Sequence, residues 1–319
     1  MAGGAIAQAA GFAPGPPVSY TETMGQTTSA RIGAIINLLA FIGMLVVNIL
    51  ATSLPLNNLT TGELSDALPN LFVPIGFTFS IWGVIWLLLA AYLVAQFRYV
   101  FSGGGASAPL SQTSQPHVDL PQASRSQASP SQASPPQASP YAPGVVGVWF
   151  PLNMVLNAGW IFAWHYQFVG VSVLIMLALL ATLIVMFLRL DQAVSSEGGG
   201  SARFARVPIS VYFGWITIAT IANITAFLVS VNWDGWGVSE VVWTVVVIVV
   251  GLLVTLAMLL RHRAIAFSVV AVWAFIGIAA KRISEGTPEG PAVLVTAIVA
   301  AVVIVGAALS VLVHRKARL

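Results

Sequence analysis

The chain has 319 residues, of which 58% are hydrophobic and only 7% are charged. An ordinary soluble domain carries about 25% charged residues, so this composition excludes a water-soluble fold. The net charge of +3 is not accompanied by a basic face with interleaved aromatic residues, which argues against nucleic acid as a partner. The absence of cysteine excludes disulfides, thiolate nucleophiles and Cys-ligated metals.

Repeated apolar runs in the sequence are long enough to cross a membrane. A hydrocarbon core about 30 Å thick requires roughly 20 apolar residues in a helix. Residues 1–30 precede the first run, lack the pattern of a cleaved signal peptide, and are interpreted as a flexible cytoplasmic tail. The seventh run is short, so a re-entrant or strongly buried segment remains open there. We predict an all-α integral membrane protein with about eight spans, at residues 32–54, 74–97, 146–165, 168–188, 207–231, 238–260, 264–281 and 291–313.

A low-complexity segment separates the second and third predicted spans. Residues 99–145 contain a repeated Gln-Ala-Ser-Pro theme, which offers too little apolar surface to offset the entropy of ordering. We therefore predict a disordered loop, and we favour a solvated spacer over a partner-binding segment.

Basic residues are concentrated on one side of the predicted spans. Of the 13 lysines and arginines, all but Lys281 and Arg282 fall on the side of the two termini. Positive residues near span ends are retained in the cytoplasm. This asymmetry predicts cytoplasmic amino and carboxyl termini, and we expect the membrane to be the bacterial inner membrane.

Ionisable groups are nearly absent from the interior of the spans. Glu240, Lys281 and Arg282 lie at span ends, where long side chains reach the interface. This distribution disfavours a charge-relay pump. No pair of carboxylates has a spacing suited to acid and base catalysis, so we expect neither an enzyme nor a metal site. The four histidines fall in loops or at helix ends: His117, His165, His262 and His314.

Ten tryptophans and a few asparagines distinguish the spans. An aromatic belt at the membrane interface explains the tryptophans near predicted span ends, which are Trp149, Trp164, Trp233, Trp236 and Trp243. It explains Trp82, Trp86, Trp160 and Trp215 less well, because they lie deeper. Trp82 and Trp86 are four residues apart and share a helix face, so they could line a cavity.

Three of the asparagines inside the predicted spans lie in the third and fifth spans. Asn153 and Asn157 share one face of the third span, and Asn223 lies near the middle of the fifth. A buried amide needs hydrogen-bond partners, and between helices each such bond contributes about 0.6–2 kcal/mol. The alternative partner is a polar group of a ligand in an apolar pocket. The sequence leaves both roles open.

Three stretches resemble the tryptophan-rich sensory protein, or translocator protein (TspO/MBR), family. VYFGWITIATIAN at 211–223 is similar to the family's fifth helix, LNAGWIF at 156–162 to its third, and FTFSIWGVIW at 77–86 to its second. The matching residues are Trp82, Leu156, Asn157, Trp160, Phe162, Tyr212, Trp215, Ala219 and Asn223. Thr78 and Ser80 depart from the family, which has Phe and Pro there; Trp86 replaces its usual Tyr.

The resemblance implies a TspO-like five-helix bundle over residues 31–232, with residues 233–319 as about three additional helices. It also implies a lipophilic pocket between the second, third and fifth helices, beneath a loop at residues 55–74. Proline, asparagine and aspartate in that loop predict an ordered, turn-rich segment. The implied ligand is a porphyrin or other tetrapyrrole, or a sterol-like or other flat lipophilic molecule, bound for transport or sensing; no further cofactor is expected. The ligand-binding residues that we predict are Trp82, Trp86, Asn153, Asn157, Trp160, Tyr212, Trp215 and Asn223.

Two other classes of function remain open. An unrelated secondary transporter would have two related halves and broken helices, which the sequence does not indicate, because Pro151 and Pro208 lie near predicted helix starts. A structural membrane subunit would use every tryptophan and asparagine for packing. Gly159 and Ala163 form a small-xxx-small pair, which leaves a homodimer through the third helix open.

Overall fold

The computed structural model describes residues 20–54, 56–102, 139–197 and 200–316, and within these ranges the protein is helical without any strand. Seven of its helices are long and apolar enough to cross a membrane. The eighth, α3, has 17 residues, at the short limit for a span. The long helices are α1 Tyr20–Ser53, α2 Ile81–Phe101, α3 Trp149–His165, α4 Val169–Glu197, α5 Gly200–Ser230, α6 Glu240–His262, α7 Ile265–Glu285 and α8 Gly290–Lys316.

The eight predicted apolar runs all form helices, but several helices extend further than their apolar runs. Because α1 begins at Tyr20, residues 20–30 are helical, and the prediction of a flexible tail is wrong for them. Residues 1–19 lie outside the described ranges. Hydropathy marks only the part of a helix in hydrocarbon, whereas a helix continues into the aqueous layer until its sequence stops it.

The junction of α4 and α5 lies earlier in the chain than the apolar pattern predicts. Helix α4 continues to Glu197 and α5 begins at Gly200, so Pro208 lies inside α5 and not near its start. Proline within a helix removes one backbone hydrogen bond, yet α5 runs without interruption from Gly200 to Ser230.

The low-complexity segment has ordered edges. Helix α2 continues through Phe101, and a helical turn at Pro143–Val146 places Val146 in the core. The Tyr92 hydroxyl donates a hydrogen bond to the Pro140 carbonyl at 3.2 Å. The prediction of disorder over 99–145 is therefore too wide at both edges, while residues 103–138 lie outside the described ranges.

The helices form two groups that meet at α5 and α7. In the first group α4 packs on α5 and α3, α1 packs on α3, and α2 lies between α1 and α5. In the second group α7 packs against α5, α6 and α8. The prediction for the seventh run left a re-entrant segment open; α7 is instead a continuous helix of 21 residues, with Ala271, Ala274 and Phe275 fully buried.

The two ends of the helix array differ in charge. At the end that we call the basic end, Arg206 and His262 both pair with Asp191, and Arg31 lies over the Phe101 ring. The opposite end, the loop end, carries the α1–α2 loop, residues 55–74. The arginines outside α7 that the structure describes at helix ends lie on the basic side, whereas Lys281, Arg282 and His165 lie at the loop end.

Candidate ligand-binding site

The α1–α2 loop is an ordered segment, as its turn-forming residues predict. It contains the short helix Thr61–Asp66, which begins with a reciprocal capping box between Thr60 and Glu63. Hydrogen bonds from the Thr60 backbone N–H and hydroxyl, at 2.7 and 2.8 Å, hold the pKa of the Glu63 carboxyl below its ordinary value. Phe72 anchors the second half of the loop, with 1% of its surface exposed.

Contacts from several helices fasten this loop over the bundle. The indole N–H of Trp164 on α3 donates to the Thr61 carbonyl at 3.3 Å. From the second helix group, the Glu240 carboxylate accepts from Leu71 N–H at 2.7 Å, and Lys281 pairs with Asp66. The loop therefore forms a cover that both helix groups hold.

Beneath the cover, Trp82 is the centre of an aromatic cluster between α2 and α5. Its ring centroid lies 6.5 Å from that of Trp86, 5.8 Å from that of Tyr212 and 6.3 Å from that of Trp215. Phe79, just before α2, meets Trp215 edge to face at 5.8 Å. Four residues predicted from the sequence, Trp82, Trp86, Tyr212 and Trp215, are thus in direct contact.

A buried chain of side-chain hydrogen bonds joins α1, α3 and α5. Asn48 donates from Nδ2 to Asn157 Oδ1 at 2.8 Å, and Asn157 donates from Nδ2 to the Tyr212 hydroxyl at 2.8 Å. Tyr212 meets Trp82 edge to face. Asn157 therefore holds Tyr212, and through it the aromatic cluster, by a hydrogen bond.

A second buried set of hydrogen bonds joins α3, α4 and α5. Trp160 donates from Nε1 to Asn223 Oδ1 at 3.1 Å, and Asn223 donates from Nδ2 to the Ser172 hydroxyl at 2.8 Å. Trp160 also stacks on Trp164, with centroids 5.7 Å apart. Both Trp160 and Asn223 line the cavity described below.

Asn153 is the one predicted site residue that the structure places away from the others. Its amide donates to the Thr182 hydroxyl at 2.7 Å and to the Leu179 carbonyl at 3.3 Å, both on α4. Like Asn157 and Tyr212, it lines neither of the spaces beneath the loop. Asn153 therefore has the interhelical bonding role that the sequence left open.

Two spaces lie beneath the loop and share Thr61, Phe79 and Trp82 as lining residues. The inner cavity, bounded by Trp160, Trp215 and other residues of α3 and α5, has a volume of about 40 Å³. The outer cleft opens between α1 and α2 and has a volume of about 590 Å³. Ligand pockets typically measure about 300–1,000 Å³, so the cleft has ligand size and the cavity does not.

Two indole N–H groups in the walls of these spaces are buried without a hydrogen-bond partner within the described residues. They belong to Trp86, which lines the cleft, and Trp215, which lines the cavity. An unsatisfied buried donor costs about 1–3 kcal/mol. A ligand that supplies an acceptor at either position would remove that cost.

Sequence reasoning missed Asn48 and Trp164. Asn48 is one of two asparagines in the apolar run of α1, and an amide within an apolar run is the same signal that marked Asn223. Trp164 is four residues after Trp160 and therefore on the same helix face, but its place near a span end led to its interpretation as part of an aromatic belt. The four-residue spacing from Trp160 would have identified Trp164 as a site residue better than its position in the span did.

The interpretation of the span-end tryptophans as an aromatic belt also overlooked a second pocket with aromatic walls, which lies at the loop end between α5 and α6. Trp233, Trp236 and Trp243 form a cluster with centroids 5.3–5.8 Å apart. They line a pocket of about 550 Å³ that also contains the carboxylates of Asp234 and Glu240. Glu240 already accepts the hydrogen bond from Leu71 of the loop.

Titratable groups at the site lie only on its rim. Among the described residues that line the cleft, Glu63 and Asp66 carry charge and none is basic. No group of three or more His, Asp or Glu side chains within the described ranges has the arrangement of a metal site. The chemistry available at the site is stacking, hydrogen bonding and burial of an apolar surface.

Comparison with known proteins places this arrangement in a family. The model of the family described as TSPO-like protein matches residues 34–116 and 130–310, most of the chain. The chain belongs to the TSPO-like protein family. The match includes every predicted site residue and continues through α6, α7 and α8, beyond the range 31–232 to which the resemblance was assigned. Comparison with curated proteins and with solved structures gave no match.

Contact with α7 accounts for one departure of this TSPO-like chain from the second-helix pattern that the resemblance gives. Thr78 stands where the resemblance predicts Phe, and its side chain is buried against Gly277 of α7. A Cβ built on Gly277 would lie 2.1 Å from Thr78 Oγ1. Trp273 of α7 also donates from its indole N–H to the Thr78 carbonyl at 2.9 Å. A small residue at position 78 therefore allows α7 to approach the start of α2.

Proposed function

We propose that this TSPO-like membrane protein binds a flat, lipophilic, tetrapyrrole-like ligand in the cleft between α1 and α2, for transport or sensing. The observation that carries the proposal is the pair of unpartnered indole N–H groups, on Trp86 and Trp215, in the walls of the two adjoining spaces. They offer donors to a ligand beside the rings of Phe79 and Trp82, which line both spaces.

The sizes of the two spaces suggest how such a ligand would fit. The cleft of about 590 Å³ accepts a ring beside Trp82 and Trp86, whereas the cavity of about 40 Å³ has little more than the volume that one water molecule occupies in the liquid. Trp82 belongs to both walls, so a ring that enters further must displace Trp82 or the covering loop.

The chemistry of the walls favours a neutral ring. An aromatic contact contributes about 0.5–1.5 kcal/mol beyond its buried area. Anionic groups on the ligand would meet Glu63 and Asp66 at the rim, with no basic side chain among the described lining residues. Protoporphyrin dimethyl ester keeps the ring of protoporphyrin and removes its two negative charges. We expect the ester to bind more tightly than the free acid.

The experiment is a titration of the purified protein with protoporphyrin dimethyl ester, followed by the absorption of the ligand. Trp82→Leu and Trp86→Leu should each weaken affinity about threefold to tenfold, because both rings line the cleft and each change removes one aromatic contact. Trp149→Leu is the matched control, because Trp149 lies at the other end of α3 and lines neither space. It should leave affinity within about twofold.

Two results would contradict the proposal. Equal losses in the Trp82, Trp86 and Trp149 variants would mean that the tryptophans act through the fold and not through contact with the ligand. No binding of either porphyrin below high micromolar concentration would favour the reading of this chain as a structural membrane subunit.

The same proposal includes the orientation of the protein. The arginines at the basic end favour a cytoplasmic location for that end and for both termini, in a bacterial inner membrane. Reporter fusions at Ser126 and Leu319 should both give cytoplasmic signals. A periplasmic signal from either fusion would contradict this orientation.

A further inference from the structure

A pocket at the basic end lies where the two helix groups meet, far from the α1–α2 loop. It has a volume of about 330 Å³. Its walls come from the end of α4, the start of α5, the α6–α7 junction and the end of α8. The lining residues that carry the argument are Arg203, Arg206, Arg261, Arg263, Asp191 and His262.

The charges in this pocket do not balance. The carboxylate of Asp191 pairs with Arg206 through Oδ1, and its Oδ2 lies 2.8 Å from His262 Nδ1. Arg203, Arg261 and Arg263 form no ion pair with any residue that the structure describes. Three guanidinium groups thus line one space without a counter-charge of their own among the residues that the structure describes.

The same pocket has an apolar wall that continues onto the membrane-facing surface. Val311 and Leu312 of α8 line it, and Leu312 is 40% exposed. The neighbouring side chain of Val313 is 64% exposed. A space with cationic groups on one side and exposed aliphatic groups on the other is complementary to an amphiphile with an anionic head.

We propose that this pocket binds the phosphate group of a net anionic phospholipid. The planar fork of arginine matches the oxygens of a phosphate, and basic pockets between membrane helices are suited to anionic headgroups. The apolar wall selects a phosphate that carries acyl chains over free inorganic phosphate. A lipid bound here touches both helix groups and fills the junction between them.

The test compares lipid retention by the full-length protein in native mass spectrometry, with phosphatidylglycerol and with phosphatidylcholine. The wild type should retain phosphatidylglycerol and lose phosphatidylcholine. The double variant Arg203→Gln, Arg261→Gln should reduce that retention about tenfold or more, because each basic group near an anionic lipid surface contributes about 1 kcal/mol. Both arginines are exposed and without an ion pair among the described residues, so their removal leaves the fold intact.

The matched control is Arg31→Gln, Arg98→Gln, which removes two exposed arginines from the same end but outside the pocket. It should change retention by no more than about twofold. If the first double variant fails to fold, Arg203→Lys, Arg261→Lys keeps the charge and removes the planar fork, and it should show a partial loss.

Three outcomes would overturn the proposal. Equal retention of the two lipids would remove the role of charge. Equal losses in the pocket and control variants would mean a general surface effect. Calorimetric binding of inorganic phosphate that the pocket variant abolishes, with no preference for phosphatidylglycerol, would identify free phosphate as the ligand.

Discussion

The two helix groups of this TSPO-like protein are held together by different interactions. In α1–α5, buried amides bond across helices: Asn37 donates to Gln96 at 3.0 Å, and Asn157 links Asn48 to Tyr212. In α6–α8 the buried hydroxyls of Thr255 and Ser268 bond locally, each to the backbone carbonyl four residues earlier.

This difference shows which property each group needs. Hydrogen bonds between side chains are directional, so they fix how α1, α3 and α5 are rotated around the ligand site. Helices α6–α8 instead approach closely through small residues such as Ala274, Gly277 and Ala297. The first group forms the walls of the site, and the second group braces the loop that covers it.

The largest effect should come from a change where α7 of the second group packs against the start of α2. Gly277→Ala places a Cβ against the buried Thr78 side chain, and overpacking of this kind costs about 1–3 kcal/mol. Gly306→Ala on α8 is the matched control, because a Cβ there meets nothing within 4 Å. The control should show only the gain in helix propensity, up to about 1 kcal/mol. Thermal unfolding in detergent measures the difference between the two variants.

A second change sharpens this prediction. Thr78→Ala removes the two atoms nearest to the added Cβ and leaves the third at 3.0 Å. Combined with Gly277→Ala, it should restore most of the lost stability. A double variant as unstable as Gly277→Ala alone would show that the contact between residues 78 and 277 does not limit the approach of α7.

The next effect in size concerns the bonds of the first group. Asn157→Leu leaves Asn48 and Tyr212 without their shared partner and should lower the free energy of unfolding by about 0.6–2 kcal/mol. The control from the second group is Thr255→Val, which removes a bond to the helix's own Gly251 carbonyl and should change stability little. Equal losses in the two variants would erase the distinction between the groups.

Asn153 and Asn157 show how much of the site the sequence could predict. Hydropathy located all eight helices, since lipid imposes a minimum length of apolar sequence. Spacing placed the two asparagines on one face of α3, yet Asn153 bonds to α4 and Asn157 to α1 and α5. Positions four apart still differ in angle and by a turn in height, so their partners depend on how neighbouring helices are placed. That placement is not encoded in spacing along one helix.

A smaller effect is expected from a change at Gly159, which tests whether α3 of the first group packs closely against a second copy of the chain through a small residue. A Cβ at Gly159 of α3 would meet nothing within 4 Å, so there is open space next to this position. If α3 forms a homodimer seam, Gly159→Leu should weaken the dimer while ligand affinity stays the same. Sedimentation in detergent measures the mass; an unchanged mass would remove this face as an interface.

The smallest effect should come from shortening the segment between α2 and α3. Its composition has no apolar pattern, so deletion of residues 106–136 should change stability only by about 0.6 kcal/mol for each halving of loop length. A deletion extended to residue 143 also removes the Pro140 contact with Tyr92 and the buried Pro143. The longer deletion should lower the melting temperature, and equal melting of the two variants would contradict the ordered edge.

The attachment of the α1–α2 loop to both helix groups has a thermodynamic consequence. A ligand that lifts the loop must also weaken its bonds to Glu240 and Lys281, so ligand entry and the position of α6 and α7 share one coupling free energy. Coupling of this kind is reciprocal. If the proposed ligand lifts the loop, any event that shifts α6 or α7 in the membrane changes the affinity of the site, and ligand binding biases those helices by the same factor.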